Sequence, residues 1–390
     1  MALFVFLAVV LSFPSRAADL DAFWSVPRKG GNSFNQVPPD EAYFHALADS
    51  GATWVRLAFS KWPSTRRDFL IGDADAYEGL VPDDLATLRR TLDAAHKAGL
   101  KVVVVPLSLP GARWTQHNEG LFDDRLWSQP GHVDDAVRFW GDLVAALQDH
   151  PAIAAYNLIN EPAPEKTTGL AENGSAEALR EWQRVHAGTL RDLPAFYARV
   201  MEAIRRVDPV TTVMLDAGYY ANPRSLAAWP RRLADDRVLY AFHMYEPYAA
   251  TSAPNMRREV PLRYPGVETE VAGRRQAWDR DAVATHIGMA FDWAAAQGLP
   301  PTRIVAGEFG CMRAWADCAA YLRDVVDAVD ARGGHWAFYA FREDAWDGMD
   351  YELPDNLPSG RFYWLMESGK ADQLPRDGTL MELLRRRMRD

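Results

Sequence analysis

The chain has 390 residues, 48% of them hydrophobic and 25% charged, which fits a globular protein with a large core and excludes a disordered one. Its 26 glycines and 25 prolines fall well short of a low-complexity or collagen-like composition. A formal net charge of -10 repels nucleic acid and anionic membrane surfaces, so a neutral partner fits better.

In chain order, the first feature is the apolar run MALFVFLAVVLSF at Met1–Phe13. It is shorter than the roughly 20 residues of a membrane span, and Ser15-Arg16-Ala17 puts small residues where cleavage after Ala17 needs them. The run reads as a signal peptide over 1–17, with a retained anchor as the alternative because no Lys or Arg precedes it. Residues 18–390 are then expected to form one soluble domain, secreted or periplasmic and monomeric, with no membrane contact once the leader is removed. The two cysteines, Cys311 and Cys318, either close one small loop in an oxidising compartment or stay as buried thiols.

Past the leader, short apolar runs alternate with helix-period stretches, and no linker or repeat interrupts them. The runs predict strands over 29–34, 53–59, 101–107, 153–159, 211–216, 238–243, 303–308 and 335–341. Amphipathic helices are predicted over 82–98, 133–148, 193–207, 281–297, 318–331 and 380–388. KVVVVPL and IAAYNLI are apolar on both faces, as parallel strands covered inside and outside require. Eight such units make an α/β fold of the (β/α)8 TIM-barrel type. An open doubly wound sheet is the competitor, but no G-x-G-x-x-G or P-loop fingerprint follows the first strands.

A barrel builds its site at the C-terminal ends of its strands. Those ends carry Arg56, Asn160-Glu161-Pro162, His243-Met244-Tyr245, Glu308-Phe309-Gly310 and the stretch from Tyr339 to Glu343. Two carboxylates, Glu161 and Glu308, aimed into one cup suit glycosidic bond cleavage, which needs one group to protonate the leaving oxygen and another to attack. Burial and mutual repulsion keep one protonated while the other stays ionised. The nine histidines are scattered, H-E-x-x-H and G-x-S-x-G are missing, and neither a catalytic metal nor a cofactor is called for.

YNLINEP at 156–162, FHMYEPY at 242–248 and IVAGEFG at 304–310 resemble the strand-four, strand-six and strand-seven signatures of family 5 glycoside hydrolases, the cellulase family. The resemblance runs from about Gly30 to Glu343. It implies a retaining double displacement with Glu161 as acid/base and Glu308 as nucleophile, their carboxyl groups about 5–5.5 Å apart. It further implies that Arg56 and Tyr245 hold Glu308 ionised, that His243 contacts the acid side, and that Asn160 binds the sugar 2-hydroxyl and helps orient Glu161. Tyr339 stands where the family stacks a Trp on substrate, leaving Trp336 as packing, and Leu107 stands where a His is usual. Endo-β-1,4-glucanase activity is expected first, with β-mannanase or exo-acting β-glucosidase activity, or a silent carbohydrate-binding barrel, as alternatives. The substrate walls are sought in Trp62, Trp114, Trp127, Tyr245, Tyr248 and Tyr264. The acidic stretch 341–353 is expected as a solvated loop, or else as a grip for sugar hydroxyls or a cation.

Overall fold

The computed structural model describes residues 16–344, 346–355 and 376–390. The apolar run Met1–Phe13 lies outside the described residues. Among those described are ten strands: β1 Lys29–Ser33, β2 Trp54–Ala58, β3 Lys101–Val105, β4 Ile153–Asn157, β5 Thr212–Asp216, β6 Val238–Met244, β7 Glu268–Val271, β8 Arg274–Ala277, β9 Ile304–Phe309 and β10 His335–Phe338. All except β7 and β8 run parallel and close into one barrel, with β10 pairing back onto β1. Each of the eight expected strands is present; the largest difference is at the last, which stops at Phe338.

The helices Pro82–Lys97, Pro130–Leu147, Leu193–Val207, Arg280–Ala296 and Cys318–Arg332 cover the barrel, and Thr379–Arg389 closes the chain. Their ends follow local chemistry. Pro82 and Pro130 sit in first turns, where a missing N–H costs nothing, and the Asp279 side chain accepts from the Ala282 N–H. Gly333 ends its helix at φ 77°, a left-handed position that suits glycine.

Three helices and a hairpin are among the elements that were not expected. Helix Arg16–Trp24 seals the bottom of the barrel: Leu20 and Trp24 are buried, and the Trp24 indole donates to the Ala154 carbonyl at 3.0 Å. The cleavage expected after Ala17 falls inside this helix, whose Arg16 donates to Asp208 and Thr211. Helices Glu41–Asp49 and Ala176–His186 are short, and the second buries only Leu179 and Trp182. The hairpin β7–β8 turns through Ala272 and Gly273 at φ 52° and 72°, the left-handed pair of a two-residue loop.

Inside the barrel, side chains fall into two tiers. The lower tier is apolar: Trp54, Val103, Ala155, Met214, Ala241, Val305 and Ala337 pack on Leu20 and Trp24. Gly30 makes room for Trp54, since a Cβ there would lie 2.4 Å from the Trp54 carbonyl oxygen. Above it, the same strands contribute Asn32, Arg56, Asn157, Asp216, His243 and Glu308, all buried. Six polar side chains enclosed at one end of an otherwise apolar barrel must satisfy one another or serve a ligand. A register shift between β6 and β9 sets Glu308 opposite His243, with Gly307 as the extra residue.

Candidate active site

Arg56 is the hub of the polar tier. Its guanidinium, fully buried, donates to Glu308 Oε1 at 2.5 Å, Asp216 Oδ2 at 3.0 Å, Asn157 Oδ1 at 2.8 Å and Asn160 Oδ1 at 2.8 Å. A planar fork with five donors holds several acceptors in fixed directions, which a lysine ammonium would not do. Glu308 receives a second donor, the Tyr245 hydroxyl, at 2.8 Å from Oε2. Both of its oxygens are thereby aimed.

Glu161 stands just beyond the end of β4 in a left-handed backbone conformation, φ 49°, which a residue with a Cβ adopts at a cost of about 1–2 kcal/mol. Its N–H donates to Asp216 Oδ2 at 3.1 Å, and the Asn160 N–H donates to the Pro106 carbonyl at 3.1 Å. The Glu161 side chain stays 30% exposed whereas that of Glu308 is 5% exposed, so Glu161 is the more open to an incoming group. Glu161 Oε1 lies 2.8 Å from His243 Nδ1. One oxygen from each glutamate and one ring nitrogen of His243 all lie within 4.8 Å of one another.

Both carboxyls are raised, in unlike surroundings. Burial, followed by the negative charge of Asp216 and then Glu172, pushes Glu161 up to about 8 against the pull of Arg56. Burial also leaves Glu308 above its ordinary value, while Arg56 and the Tyr245 hydroxyl pull it back through direct hydrogen bonds to its charged form. Burial lowers His243, which favours a neutral imidazole beside a protonated Glu161. The spacing of Glu161, His243 and Glu308 would also suit three metal ligands. The Arg56 guanidinium already supplies positive charge there, and the Glu308 oxygens accept from Arg56 and Tyr245.

Two cavities meet at Glu161. One, of about 120 Å³, runs past Leu107, Trp114, Trp127, Asn160 and Tyr220. The other, of about 370 Å³, is lined by Tyr220, His243, Tyr245, Glu246 and Tyr248. A separate cavity of about 380 Å³ lies on the outer helical face between Trp182 and Trp229 and holds none of the polar-tier groups.

The eight residues singled out from sequence divide into two sets. Arg56, Asn160, Glu161, His243, Tyr245 and Glu308 share the network above, although Asn160 reaches Glu161 only through the chain and through Arg56. Trp114 and Tyr339 are half-buried on the rim, packing with Phe34 and Leu107. The Tyr339 hydroxyl donates to Glu343 Oε2 at 2.7 Å, and Lys61 donates to Glu343 Oε1 at 2.7 Å while lying 5.2 Å over the Trp114 ring. Trp336 is fully buried against Phe309.

Other expectations are corrected. Trp62 packs on Phe59 and Phe69, and Tyr264 is buried with its hydroxyl on Asp324, so neither forms a substrate wall. The acidic stretch 341–353 is largely enclosed: Glu343, Asp347, Asp350 and Glu352 are buried, and Arg342, Arg376 and Arg385 pair with its carboxylates. Counter-charges, Arg342 within the stretch and Arg376 and Arg385 beyond it, make that burial tolerable, and composition alone did not reveal the pairing. Cys311 and Cys318 are joined in a disulfide across a separation of 7 residues.

Sequence reasoning missed Asn32, Asn157, Asp216 and Tyr220. Asp216 carries a readable signal, since it ends the apolar strand TVMLD as Glu308 ends IVAGE. Tyr220 gives none. It reaches both cavities because three successive residues, Tyr219, Tyr220 and Ala221, take left-handed conformations, and buried Glu165 accepts the Tyr219 N–H at 3.1 Å.

Comparison with known proteins gives the family and the fold. The model of a family described as Cellulase (glycosyl hydrolase family 5) matches residues 20–345. A beta-xylosidase of Phanerodontia chrysosporium is 25% identical over 295 residues, covering 75% of this chain and 50% of that protein. A probable glucan 1,3-beta-glucosidase A of Neosartorya fischeri is 27% identical over 205 residues, covering 52% of this chain and 41% of that protein. The chain thus spans about half the length of the curated relatives it matches, or less. A solved endoglucanase shares the fold with a TM-score of 0.62 at 18% identity, over 94% of this chain and 99% of its own.

Proposed function

Because the chain belongs to the cellulase family, glycosyl hydrolase family 5, we propose that it is a retaining β-glycoside hydrolase with Glu161 as acid/base and Glu308 as nucleophile. The observation that carries the reading is the placement of two carboxylate oxygens within 4.8 Å in unlike surroundings. Inverting pairs stand roughly 6.5–9.5 Å apart to admit a water between them, and retaining pairs about 5–5.5 Å. The close spacing therefore favours direct attack by Glu308.

In the first step, Glu308 attacks the anomeric carbon as Glu161 gives its proton to the leaving oxygen, and the glycosidic bond breaks. Arg56 and Tyr245 keep Glu308 charged and oriented up to that moment. Glu161, now ionised beside neutral His243, takes a proton from a water that attacks the glycosyl-enzyme, and both carboxyls return to their starting states. Asn160, bound to Arg56 through its carbonyl, leaves its amide free to meet the sugar 2-hydroxyl.

For substrate we propose a β-linked glucan, cleaved internally at β-1,4 bonds; the two cavities that meet at Glu161 would seat sugar on both sides of the scissile bond. A second reading, exo action, has its own observation: the buried Lys61–Glu343 pair with Phe34, Trp114 and Tyr339 walls one side of the mouth. Cellulose, barley glucan, laminarin, mannan and xylan, assayed for loss of viscosity against release of single sugars, separate these readings. Proton NMR of the first product tests the mechanism: the β-anomer supports retention, and an α-anomer refutes it. Export is part of the proposal, supported by a disulfide of the kind that persists in oxidising compartments, and fractionation of the producing cell tests it.

A further inference from the structure

Asp216 is fully buried at the end of β5, touches neither cavity, and has no part in the two steps above. One of its oxygens, Oδ2, nevertheless faces three groups of the site: the Arg56 guanidinium at 3.0 Å, the Glu161 N–H at 3.1 Å, and His243 Nε2 at 3.5 Å. Its other oxygen accepts from the Asn157 amide at 3.0 Å, and Asn157 in turn accepts from Arg56. We propose that Asp216 is a positioning residue for the acid, which holds the Glu161 backbone in its left-handed turn and sets the His243 tautomer so that Nδ1 accepts the Glu161 proton.

The tautomer argument follows from what surrounds the imidazole. His243 Nδ1 lies 2.8 Å from Glu161 Oε1 and 3.8 Å from Glu308 Oε2, and Nε2, a buried atom that makes no hydrogen bond, lies 3.5 Å from Asp216 Oδ2. A neutral ring carries one hydrogen, and a negative charge near Nε2 draws it there. Nδ1 is then an acceptor and stabilises the protonated form of Glu161. Without the Asp216 charge, the Nδ1–H tautomer becomes accessible and donates to ionised Glu161, stabilising the wrong form for an acid.

Asp216 also divides the charge of Arg56. The guanidinium serves Glu308 and Asp216 together, so less of its field is left to draw the proton off Glu161. The charged and titratable groups facing Glu161 are Arg56 from β2, Glu172 from the loop after β4, Asp216 from β5, Tyr220 from the turn after it, His243 from β6, Tyr245 and Tyr248 just beyond it, Glu308 from β9 and Tyr339 after β10. Of these, Asp216 is the one whose negative charge is fixed to the acid's own backbone.

This inference rests on the proposed roles of Glu161 and Glu308. The test is Asp216→Asn, which keeps the volume and removes the charge, with kcat/KM measured against pH on a β-glycoside with an alcohol leaving group and on an activated aryl β-glycoside. The alkaline limb for the alcohol substrate should move down by about 1 pH unit or more, as loss of a charge at this range implies. The activated substrate, which needs no proton, should lose far less. An unshifted limb, or equal loss on both substrates, overturns the positioning role. If Asp216→Asn does not fold, Asp216→Ser is read in the same way, and failure of both to fold assigns Asp216 to barrel stability and also overturns the proposal. Absence of turnover by the unmodified protein on any β-glycoside would instead overturn the hydrolase reading.

Discussion

Replacement of Glu161 by Gln tests the division of labour between the two carboxyls. The change leaves the Arg56 and Tyr245 bonds to Glu308 in place, at 2.5 and 2.8 Å, so the nucleophile remains charged and aimed. What is lost is the proton. A general acid contributes roughly 10²–10⁴-fold, about 2.7–5.5 kcal/mol, when the departing alkoxide cannot leave unaided. The expected result is that kcat/KM falls by this factor on a β-glucan oligosaccharide and by less than about tenfold on a dinitrophenyl glycoside. The pH profile supplies an independent check. With Glu161 near 8, the unmodified enzyme should be flat through neutral pH and lose about tenfold per unit well above pH 8, because only protonated Glu161 acts in the first step. That limb should vanish in Glu161→Gln. Equal loss on both substrates, or a surviving limb at the same pH, would refute the assignment.

Three further outcomes follow from other parts of the molecule. Glu165 is buried, and burial pushes it up to about 7; its folded form keeps a proton that the unfolded chain releases near 4.5, so stability declines as pH rises from 4.5 through 7, by about 3 kcal/mol. Glu165→Gln should flatten that part of the Tm-against-pH curve, and an unchanged slope would contradict the burial argument. Replacing both Cys311 and Cys318 by Ser opens a loop of separation 7 and should lower unfolding stability by about 2.5 kcal/mol in denaturant titration, with no change expected if the loop is rigid without it. Trp114→Ala removes a half-buried ring from the rim and should raise KM for polysaccharide roughly fivefold, about 1 kcal/mol, with kcat little altered; a loss in kcat alone would show that the ring does not bind ground-state sugar.

The barrel was legible because its strands repeat one signal, an apolar run closed by a polar residue, and the interior demands it. Glu161, His243 and Glu308 were visible for the same reason, since each closes such a run, and Arg56 because a charge inside the apolar run WVRLAF has few harmless explanations. The hairpin β7–β8 was invisible because its polar faces, read as GluThrGluVal and ArgArgGlnAla, lack the alternation that marks a half-buried strand. Helix Ala176–His186 went unread although its charged residues stand opposite Leu179 and Trp182, because it lies inside the long connection after β4 and was passed over with it. Trp62 and Tyr264 were misjudged because position in a loop says nothing about which way a ring turns, and apolar neighbours such as Phe69 were available to bury it.

Asp216 exposes a different limit. Its place at a strand end was as plain as that of Glu308, yet only the closed barrel shows that one carboxylate oxygen reaches residues from β2, the loop after β4, and β6 together. A carboxylate with no access to substrate can still decide where a proton resides, provided that it is fixed and poorly screened. In the low-dielectric interior its charge acts on Glu161 through the backbone, through Arg56 and through His243 at once. On the proposed reading, the acid of this site is a property of the polar tier as a whole: Glu161 would supply the atom that carries the proton, and the neighbours that ring Arg56 the reason it stays there at neutral pH.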